Sequence, residues 1–338
     1  MKRFYFFSID VCGACNLTCP TCPEGNSSLR LPKGLLTIDL LRKILAKATA
    51  ECVLTGVNLY NWAEPLLHPQ LPELIRIVHS YDLKCFLSSN LNRTQGIKEM
   101  MATKPDSIRI SCSGFHQESY SQTHRGGNIE TVKQNMKLVA EFRQPSTRVH
   151  MLWHRYKHNV DEEPLMRAFC ESLGFNFDAV DAYMMPIETV LGRWRGELPP
   201  LEIEKSLKTP IEVSKGLCAP KKHYECLLQI QSLSLNHLGE VQLCCAVYDP
   251  KKFGVCNFLD TPIEKIRSLR LNHSFCGTCT AAGGHAYALN YSAKNMSKAS
   301  FLFRAFYRNY GHRILPPKVA AGLQRTFTNQ KVIWGEDY

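Results

Sequence analysis

Short apolar runs alternate with amphipathic segments along the first half of the chain. The runs 4–9 and 107–111 have the length and composition of buried strands. The segment that begins at Thr37 has apolar residues at helical spacing, and a threonine is well suited to cap its first turn. Strands are predicted at 4–9, 53–60, 84–89, 107–111, 148–153 and 177–183, and helices at 37–48, 71–80, 96–102, 128–142 and 162–173. This alternation predicts an α/β fold with a parallel sheet covered by helices.

The pattern changes at residue 186. Residues 186–212 contain two adjacent prolines and mixed charges without a strand pattern, which predicts a linker. Farther on, 227–235 and 241–243 alternate like two strands joined by a turn at 236–239, and a helix is predicted at 261–270. The predicted organisation is a domain at 1–190, a linker at 191–215, a small domain at 216–285 and a helical tail at 286–338.

The amino-acid composition is typical of a globular protein, and its cysteine content indicates the kind of chemistry. The 338 residues are 44% hydrophobic and 21% charged, and no run approaches the length of a membrane span. We expect a cytoplasmic protein. Fifteen cysteines in that compartment favour metal or redox chemistry over a disulfide framework.

The net charge of +11 is concentrated near the C-terminus. Residues 265–335 hold eleven Lys or Arg and no Asp or Glu. Within them, the segment 301–310 has aromatic residues at helical spacing beside two arginines. The hypotheses are a helix docked on the barrel, a peripheral membrane contact or a groove for an anionic substrate. No nucleic-acid partner is expected, because no recognised binding motif accompanies the charge.

Three closely spaced cysteines follow the first strand. Cys15, Cys19 and Cys22 have the spacing C-x3-C-x2-C. Three thiolates on one loop can bind three irons of a four-iron cluster and leave the fourth iron open. Half of a zinc site or a pair of redox thiols is the alternative.

This motif resembles that of the radical S-adenosylmethionine (radical SAM) superfamily. The resemblance implies an open (β/α)6 partial barrel, a 4Fe-4S cluster on these cysteines, and S-adenosylmethionine bound to its open iron. In that family, an electron from the cluster breaks a carbon–sulfur bond and yields a 5′-deoxyadenosyl radical. Ligands are then expected at the C-terminal ends of the strands.

The resemblance extends to the loops after the later strands. Glu64 matches the family's Gly-Gly-Glu-Pro segment, with Trp62 and Ala63 in place of the glycines, and it is expected near the methionine amino group. The cofactor-binding residues that the resemblance implies are Glu64 for the amino group, Ser88 and Asn90 for the ribose, Arg125 for the carboxylate and Asn159 near the adenine. Thr21 stands where the family often has an aromatic residue that packs on adenine.

A second cysteine set lies in the small predicted domain. Cys226, Cys244, Cys276 and Cys279 resemble the pattern of the twitch domain, a shortened relative of the SPASM domain. That resemblance implies a second, auxiliary 4Fe-4S cluster with four protein ligands. A four-cysteine zinc ribbon is the alternative.

Two more cysteines are candidates for catalysis. A thiol that faces the substrate can return a hydrogen atom to a carbon radical, which would make the enzyme an epimerase rather than a dehydrogenase. Cys256 is the first candidate and Cys245 the second, because Cys245 directly follows a cluster ligand in a predicted strand and should point away. Packing alone is the other explanation for either residue.

The resulting hypothesis is a radical SAM oxidoreductase or epimerase that acts on a polar, sugar-like and possibly anionic small molecule. A flavodoxin or ferredoxin is the expected reductant. One alternative is a maturase of ribosomally made peptides, which the start of the motif at residue 15 disfavours. The other is a zinc or iron–sulfur protein without enzymatic activity that binds nucleic acid.

Overall fold

The structure is a computed structural model that describes residues 3–223 and 225–289. The basic aromatic segment 301–310 and the other residues after 289 lie outside the described residues.

Six parallel strands form the first part of the sheet in chain order. They are β1 (Phe4–Ile9), β2 (Val53–Asn58), β3 (Cys85–Ser89), β4 (Ser107–Cys112), β5 (Arg148–Arg155) and β6 (Asn176–Asp181). Each strand pairs in parallel with its successor. Neighbouring order with parallel direction requires a crossover between strands, and helices supply it. The carboxyl ends of all six strands therefore meet at one edge.

Apart from the short first helix, which belongs to the cysteine loop, the helices of this part pack on the sheet. In chain order the helices are α1 (Pro23–Asn26), α2 (Ile38–Glu51), α3 (Leu71–His79), α4 (Ile97–Ala102), α5 (Gln117–Thr123), α6 (Ile129–Phe142) and α7 (Glu163–Ser172). Thr37 caps α2 by accepting the N–H of Leu40 at 3.1 Å, as predicted. None of the helices in the described ranges is long and apolar enough to cross a lipid bilayer.

The C-terminal part continues the same sheet. It consists of α8 (Ile187–Arg195), α9 (Ile211–Cys218), α10 (Leu227–Gln231), β7 (Ser232–Leu235), β8 (Glu240–Gln242), α11 (Pro250–Phe253), β9 (Gly254–Asn257), α12 (Ile263–Leu271), α13 (Ser274–Ala281) and α14 (Gly284–Ala288). The strand order is β6-β5-β4-β3-β2-β1-β7-β8-β9, with β7 parallel to β1 and the last two pairings antiparallel. In the described part of the chain β6 and β9 are the two sheet edges, so the α/β barrel is open, as predicted.

The predicted hairpin was only partly correct. The turn at 236–239 and the strand that follows it are present, but 227–231 is helical and only 232–235 is a strand. An apolar run this short is compatible with either structure, and packing decides between them. The sequence did not predict β9.

Two hydrophobic cores stabilise the fold. The main core lies between the sheet and α2 to α7 and includes Phe7, Leu41 and Ile110. A second core includes Trp194 and Tyr287 and joins α8, α9 and α14 to the segment after β8. The segment predicted as a linker therefore contains α8 and the start of α9, and both helices contribute to this core.

The loop after β3 is held from beneath by α6. Leu91 has a left-handed backbone (φ 50°), which a side chain with a branched Cγ adopts only under restraint. Its carbonyl accepts the Nδ2–H of Asn135 at 2.8 Å, and its N–H donates to Ser89 Oγ at 2.9 Å. Asn135 is fully buried, so this hydrogen bond is protected from water.

Replacing Asn135 by Ala should lower the free energy of unfolding by about 1–3 kcal/mol, because a buried carbonyl then lacks its donor. The measurement is the urea midpoint of the metal-free protein. Gln134→Ala, at the exposed neighbouring position of α6, is the control and should change the midpoint little. Equal shifts in both variants would mean that the Asn135 amide does not restrain the loop.

Candidate active site

The loop between β1 and α2 carries the three cysteines of the first motif. The N–H of Cys22 donates to the carbonyl of Cys19 at 3.0 Å, and α1 begins directly after Cys22. Helix α1 packs closely on the loop, since a Cβ on Gly25 would lie 2.2 Å from the carbonyl oxygen of Cys19. Only glycine permits this approach. Gly25 is therefore a residue that sequence reasoning missed and that shapes the cysteine loop.

The three thiols share one largely desolvated environment. Burial raises the pKa of Cys15 and Cys19 to about 12 and the pKa of Cys22 well above its ordinary value. Cys22 is also affected by the charges of Cys19 and Cys15, so the three sulfurs lie near one another. Three buried thiolates would repel each other strongly without a cation among them. A metal centre supplies that cation and deprotonates the thiols that bind it, so this donor set fits an iron–sulfur cluster.

Within residues 3–223 and 225–289, no three Cys, His, Asp or Glu side chains are arranged to hold a single metal ion.

Glu64 connects the ends of β2 and β3. Its carboxylate accepts hydrogen bonds from the Ser89 hydroxyl at 2.7 Å, from the N–H of Asn90 at 2.9 Å and from the N–H of Leu66 at 3.0 Å. Burial raises the pKa of Glu64, and these three donors oppose the rise. The predicted pair Glu64 and Asn90 is thus brought together, and Ser89 is an additional member that the sequence did not single out.

Ser88 faces the opposite side of β3 from Ser89. Its hydroxyl accepts the Nε–H of Arg109 at 3.1 Å and lies 3.4 Å from the Ser111 hydroxyl. Successive residues of a strand point to opposite faces. Ser88 therefore lies inside the barrel, away from Glu64.

Asn90 contacts the cysteine loop directly. Its Nδ2 donates to Asn16 Oδ1 at 2.9 Å and lies 3.8 Å from the sulfur of Cys15. Arg125 approaches the same loop from the other side. Its carbonyl accepts the N–H of Thr18 at 3.0 Å, and its charge lowers the pKa of Cys19. Its position at the loop is compatible with the predicted contact to a carboxylate.

Asn159 is fully buried and uses its amide to shape the loop after β5. Nδ2 donates to the carbonyls of Ser113 at 3.0 Å and His154 at 2.9 Å, and Oδ1 accepts the N–H of Tyr156 at 2.8 Å. Both of its donor hydrogens are therefore occupied. The role near adenine that the resemblance implied stays a prediction, and the geometry describes a positioning residue.

Tyr156 lies where the motif lacks an aromatic residue. Its hydroxyl is 2.9 Å from that of Thr21, the residue before the third cysteine. Its ring stacks on His158 with 5.4 Å between ring centroids. An aromatic side chain is thus present beside the third cysteine, but the segment directly after β5 supplies it.

Asp10 holds the loop that lacks the family's glycines. At the end of β1, its Oδ1 accepts the N–H groups of Asn61 at 2.9 Å, Trp62 at 2.9 Å and Ala63 at 3.0 Å. Burial raises the pKa of Asp10 to about 7, and the three N–H groups favour its charged form. The sequence signal that could have identified Asp10 is an acidic residue directly after an apolar strand.

A group of polar and aromatic side chains lies on the inner face of the sheet beyond Ser88. Ile108 and Ile110 belong to the main core, so Arg109 between them faces the opposite side of the sheet. Its guanidinium lies 5.1 Å from the ring centroid of Tyr60. Burial and the charge of Arg109 lower the pKa of His154 to about 4, so this histidine is neutral near pH 7. We call Tyr60, Arg109, His154, Tyr183 and Cys245 the inner-face group.

The thiol of Cys245 lies beside the two phenols of this group. Burial raises the pKa of Tyr60 and of Tyr183, and each is further affected by Arg109 and by Cys245. Burial raises the pKa of Cys245 to about 12, so its thiol stays protonated. The prediction that Cys245 lies in a strand was wrong, because β8 ends at Gln242 and Cys245 lies in a turn.

Cys256 has different surroundings. It lies in β9, opposite Val241 of β8, and packs against the main core. Cys245 packs against the second core, so each of the two predicted cysteines contacts a hydrophobic core, and Cys245 is the one that also lies near Tyr60 and Tyr183.

The second cysteine set lines one pocket. Cys226 caps α10, Cys244 follows β8, and Cys276 and Cys279 lie on α13. The four residues share an apolar pocket with an empty volume of about 420 Å³. Its other lining residues include Ile187, Leu228, Leu243, Phe275 and His285. Burial raises the pKa of Cys226 to about 11 and also raises that of Cys244 and Cys279, so this thiol set also fits a metal centre.

Side chains link the two cysteine regions. The Tyr248 hydroxyl donates to Glu24 Oε1 at 2.7 Å, two residues after Cys22. Its N–H donates to Glu188 Oε1 at 2.9 Å, and the charge of Glu188 affects Cys279 of the second set. Trp62 packs edge-to-face on Tyr248 with 6.1 Å between centroids.

Comparisons with known proteins agree with this geometry. A probable GTP 3′,8-cyclase of Methanococcus maripaludis is 22% identical over 220 residues, which cover 64% of this chain and 72% of the relative. SuiB of Streptococcus suis, bound to S-adenosylmethionine, has a TM-score of 0.55 at 13% identity over 88% of this chain and 75% of its own. A histidine-tagged anSMEcpe with bound AdoMet has a TM-score of 0.56 at 13% identity over 97% of this chain and 100% of its own. The two solved structures support the fold alone.

The model of the radical SAM superfamily matches residues 9–168. That range contains the first cysteine motif and the predicted cofactor-binding residues, whereas the second cysteine set lies beyond it. The match to this family model, with the open parallel sheet, the cysteine loop at its carboxyl edge and the polar contacts around Glu64, identifies a domain of the radical SAM superfamily in this chain.

Proposed function

We propose that this enzyme cleaves S-adenosylmethionine reductively and removes a hydrogen atom from carbon in a polar, sugar-like small molecule. The products would be an epimer or a dehydrogenated molecule. The observation that supports this most directly is a group of polar side chains on the inner face of the sheet, where the guanidinium of Arg109 hydrogen-bonds to Ser88 and lies against Tyr60. This is a polar surface suited to a hydroxyl-rich substrate.

The first cysteine motif and its neighbours form the proposed cofactor site. Cys15, Cys19 and Cys22 would hold a 4Fe-4S cluster. Bound together, that cluster and S-adenosylmethionine supply a 5′-deoxyadenosyl radical, which is strong enough to abstract hydrogen from carbon. Asn90 and Arg125 would contact the cofactor from opposite sides of the cysteine loop, as their contacts with that loop suggest.

Glu64 and Tyr156 are assigned the remaining roles in this site. Glu64 already accepts three hydrogen bonds from the protein, so its carboxylate is fixed before a methionine amino group arrives. A preorganised carboxylate loses little freedom on binding. The ring of Tyr156, beside Thr21, would provide the apolar surface for adenine.

The second cysteine set would hold the auxiliary 4Fe-4S cluster. Four thiols in one apolar pocket leave no position open for a substrate, which suits electron transfer or structure rather than direct catalysis. A zinc ion on the same ligands is the alternative that metal analysis distinguishes.

Arg109 would determine which substrates bind at the inner-face group. Its cation lies against Tyr60 inside the barrel, where the low dielectric strengthens its attraction for an anion. A carboxylate or phosphate on the substrate would bind there. His154 is neutral and therefore adds no second positive charge.

Cys245 would return the hydrogen atom in the epimerisation reaction. Its S–H bond breaks as the substrate carbon radical gains a C–H bond on the opposite face. The sulfur radical that remains then needs one electron and one proton, which a flavodoxin or ferredoxin and the solvent can supply. Without this step, the substrate radical would lose one electron to the proposed auxiliary cluster and one proton to solvent, which gives the dehydrogenated product.

Cyclisation of a purine nucleotide is the second candidate. The similarity to a probable GTP 3′,8-cyclase over 220 residues favours it, and Arg109 would suit a phosphate group. GTP therefore belongs in the same substrate screen as carboxylated and phosphorylated sugars.

Replacing Cys15, Cys19 and Cys22 together by Ala should abolish reductive formation of 5′-deoxyadenosine, because no ligands remain for the proposed SAM-binding cluster. The assay uses anaerobically reconstituted protein, dithionite and S-adenosylmethionine. Cys170→Ala, at a buried position in the main core, is the control and should retain the activity. Wild-type turnover in the triple variant would reject the assignment.

Iron analysis tests the auxiliary cluster. The reconstituted wild type should contain about eight irons per chain, and the variant with Ala at Cys226, Cys244, Cys276 and Cys279 about four. Loss of half the iron is expected because each set would hold one cubane. About four irons with one zinc in the wild type would instead support the zinc ribbon.

Cys245→Ser should still form 5′-deoxyadenosine but lose solvent deuterium from the product, since a hydroxyl does not give up a hydrogen atom readily. Mass spectrometry in D₂O measures this with a substrate found by its stimulation of 5′-deoxyadenosine formation. Cys256→Ser is the matched control and should behave like the wild type. Unchanged deuterium in the Cys245 variant would exclude this thiol as donor and favour dehydrogenation.

A further inference from the structure

One arginine is buried deep in the C-terminal part of the chain. Arg270 lies in the last turn of α12, and only 1% of its surface is exposed. Its Nε donates to the carbonyl of Leu243 at 2.8 Å, and Nη2 donates to the carbonyl of Leu228 at 2.9 Å. Two separate segments of the chain are thus held by one guanidinium.

No carboxylate of the described residues balances this charge. Among the ion pairs formed within residues 3–223 and 225–289, none includes Arg270. Carbonyl oxygens satisfy the donors of a guanidinium, but they carry only partial negative charge. A fully buried cation with such partners is strongly unfavourable unless an anion lies nearby.

The contacts of Arg270 lead to the second cysteine set. Leu243 directly precedes Cys244, and Leu228 lies in the helix that Cys226 caps. Both leucines line the pocket that the four thiols share. The guanidinium therefore hydrogen-bonds to the two segments that contain Cys226 and Cys244.

The backbone of Arg270 also meets the pocket. Its carbonyl accepts the Nε2–H of Gln229, a lining residue, at 3.4 Å.

We propose that Arg270 is the internal counter-ion of the auxiliary iron–sulfur cluster and keeps its reduction potential high. The inference rests on the proposed function, which assigns that cluster to the four thiols. Four thiolates on a 4Fe-4S core carry a net negative charge, and reduction adds one more. A nearby buried cation stabilises the reduced form more than the oxidised form, so it raises the potential.

The protein for the test carries Ala at Cys15, Cys19 and Cys22, so that only the second cysteine set can bind a cluster. Into it are placed Arg270→Lys, which keeps the charge, and Arg270→Met, which keeps the aliphatic stem but removes the charge and the hydrogen-bond donors. Lys265→Met removes a charge from an exposed position of the same helix and is the matched control. Iron content and an anaerobic redox titration followed by electron paramagnetic resonance are measured for each.

The Met variant should be on the order of tenfold harder to reduce, a fall of about 59 mV for one electron. The Lys and Lys265 variants should stay near the parent value.

An unchanged potential in an iron-loaded Met variant would overturn the inference. Equal changes in the Lys and Met variants would also overturn it, because the hydrogen bonds to the two carbonyls would then be the whole role of Arg270. A parent protein that binds zinc or no iron would instead refute the proposed auxiliary cluster, and metal analysis of the parent identifies that outcome before any titration.

Discussion

The active-site edge depends on a buried carboxylate at the end of the first strand. Asp10 accepts three consecutive backbone N–H groups, which fixes the loop after β2 although Trp62 and Ala63 stand where the family has glycines. That loop presents Glu64, whose carboxylate in turn binds the end of β3. Asn90 then reaches the cysteine loop. A chain of hydrogen bonds thus joins three strand ends, and its central links, from Glu64 to Ser89 and Asn90, are buried.

The loop that Asp10 holds also takes part in the contact between the six-stranded barrel and the C-terminal part of the chain. Since β7 pairs in parallel with β1, the second cysteine region is attached to the strand that precedes the first cysteine loop. Trp62 uses its side chain for this junction, because its Nε1–H donates to the carbonyl of Val247 at 2.9 Å. The residue that replaces a family glycine therefore stabilises the contact between the two halves.

The surroundings of the buried thiols determine whether each one keeps its proton, and this separates their proposed roles. Thiols in both cysteine sets have raised pKa values, so without a metal they remain neutral, and a cationic centre would reverse that preference. Cys245 has the same raised pKa but faces Tyr60 and Tyr183. A neutral thiol in such surroundings retains the hydrogen that the proposed epimerisation requires. Arg270 adds a buried positive charge, and the proposed cluster of the second cysteine set would supply the negative charge that balances it.

The sequence by itself determined the superfamily and the order of the barrel strands. The C-x3-C-x2-C spacing is local, and so are the apolar runs and helical stripes, so one segment at a time is enough to predict them. The confirmed radical SAM domain and open parallel sheet follow from these signals. The roles of individual cofactor-binding residues and of the auxiliary cysteines remain predictions.

Only the tertiary structure decided which side chains meet. Asp10, Ser89, Tyr156 and Arg270 have partners from distant segments, and no local pattern reveals such partners. Ser88 and Ser89 point to opposite faces because strands alternate, and Cys245 lies in a turn because β8 ends before it. The segment 227–231 is helical rather than extended because packing, not its short apolar pattern, selects between the two. Long-range contacts determine these outcomes, because the intrinsic helix and strand propensities of such short segments differ too little in free energy to decide between the two structures.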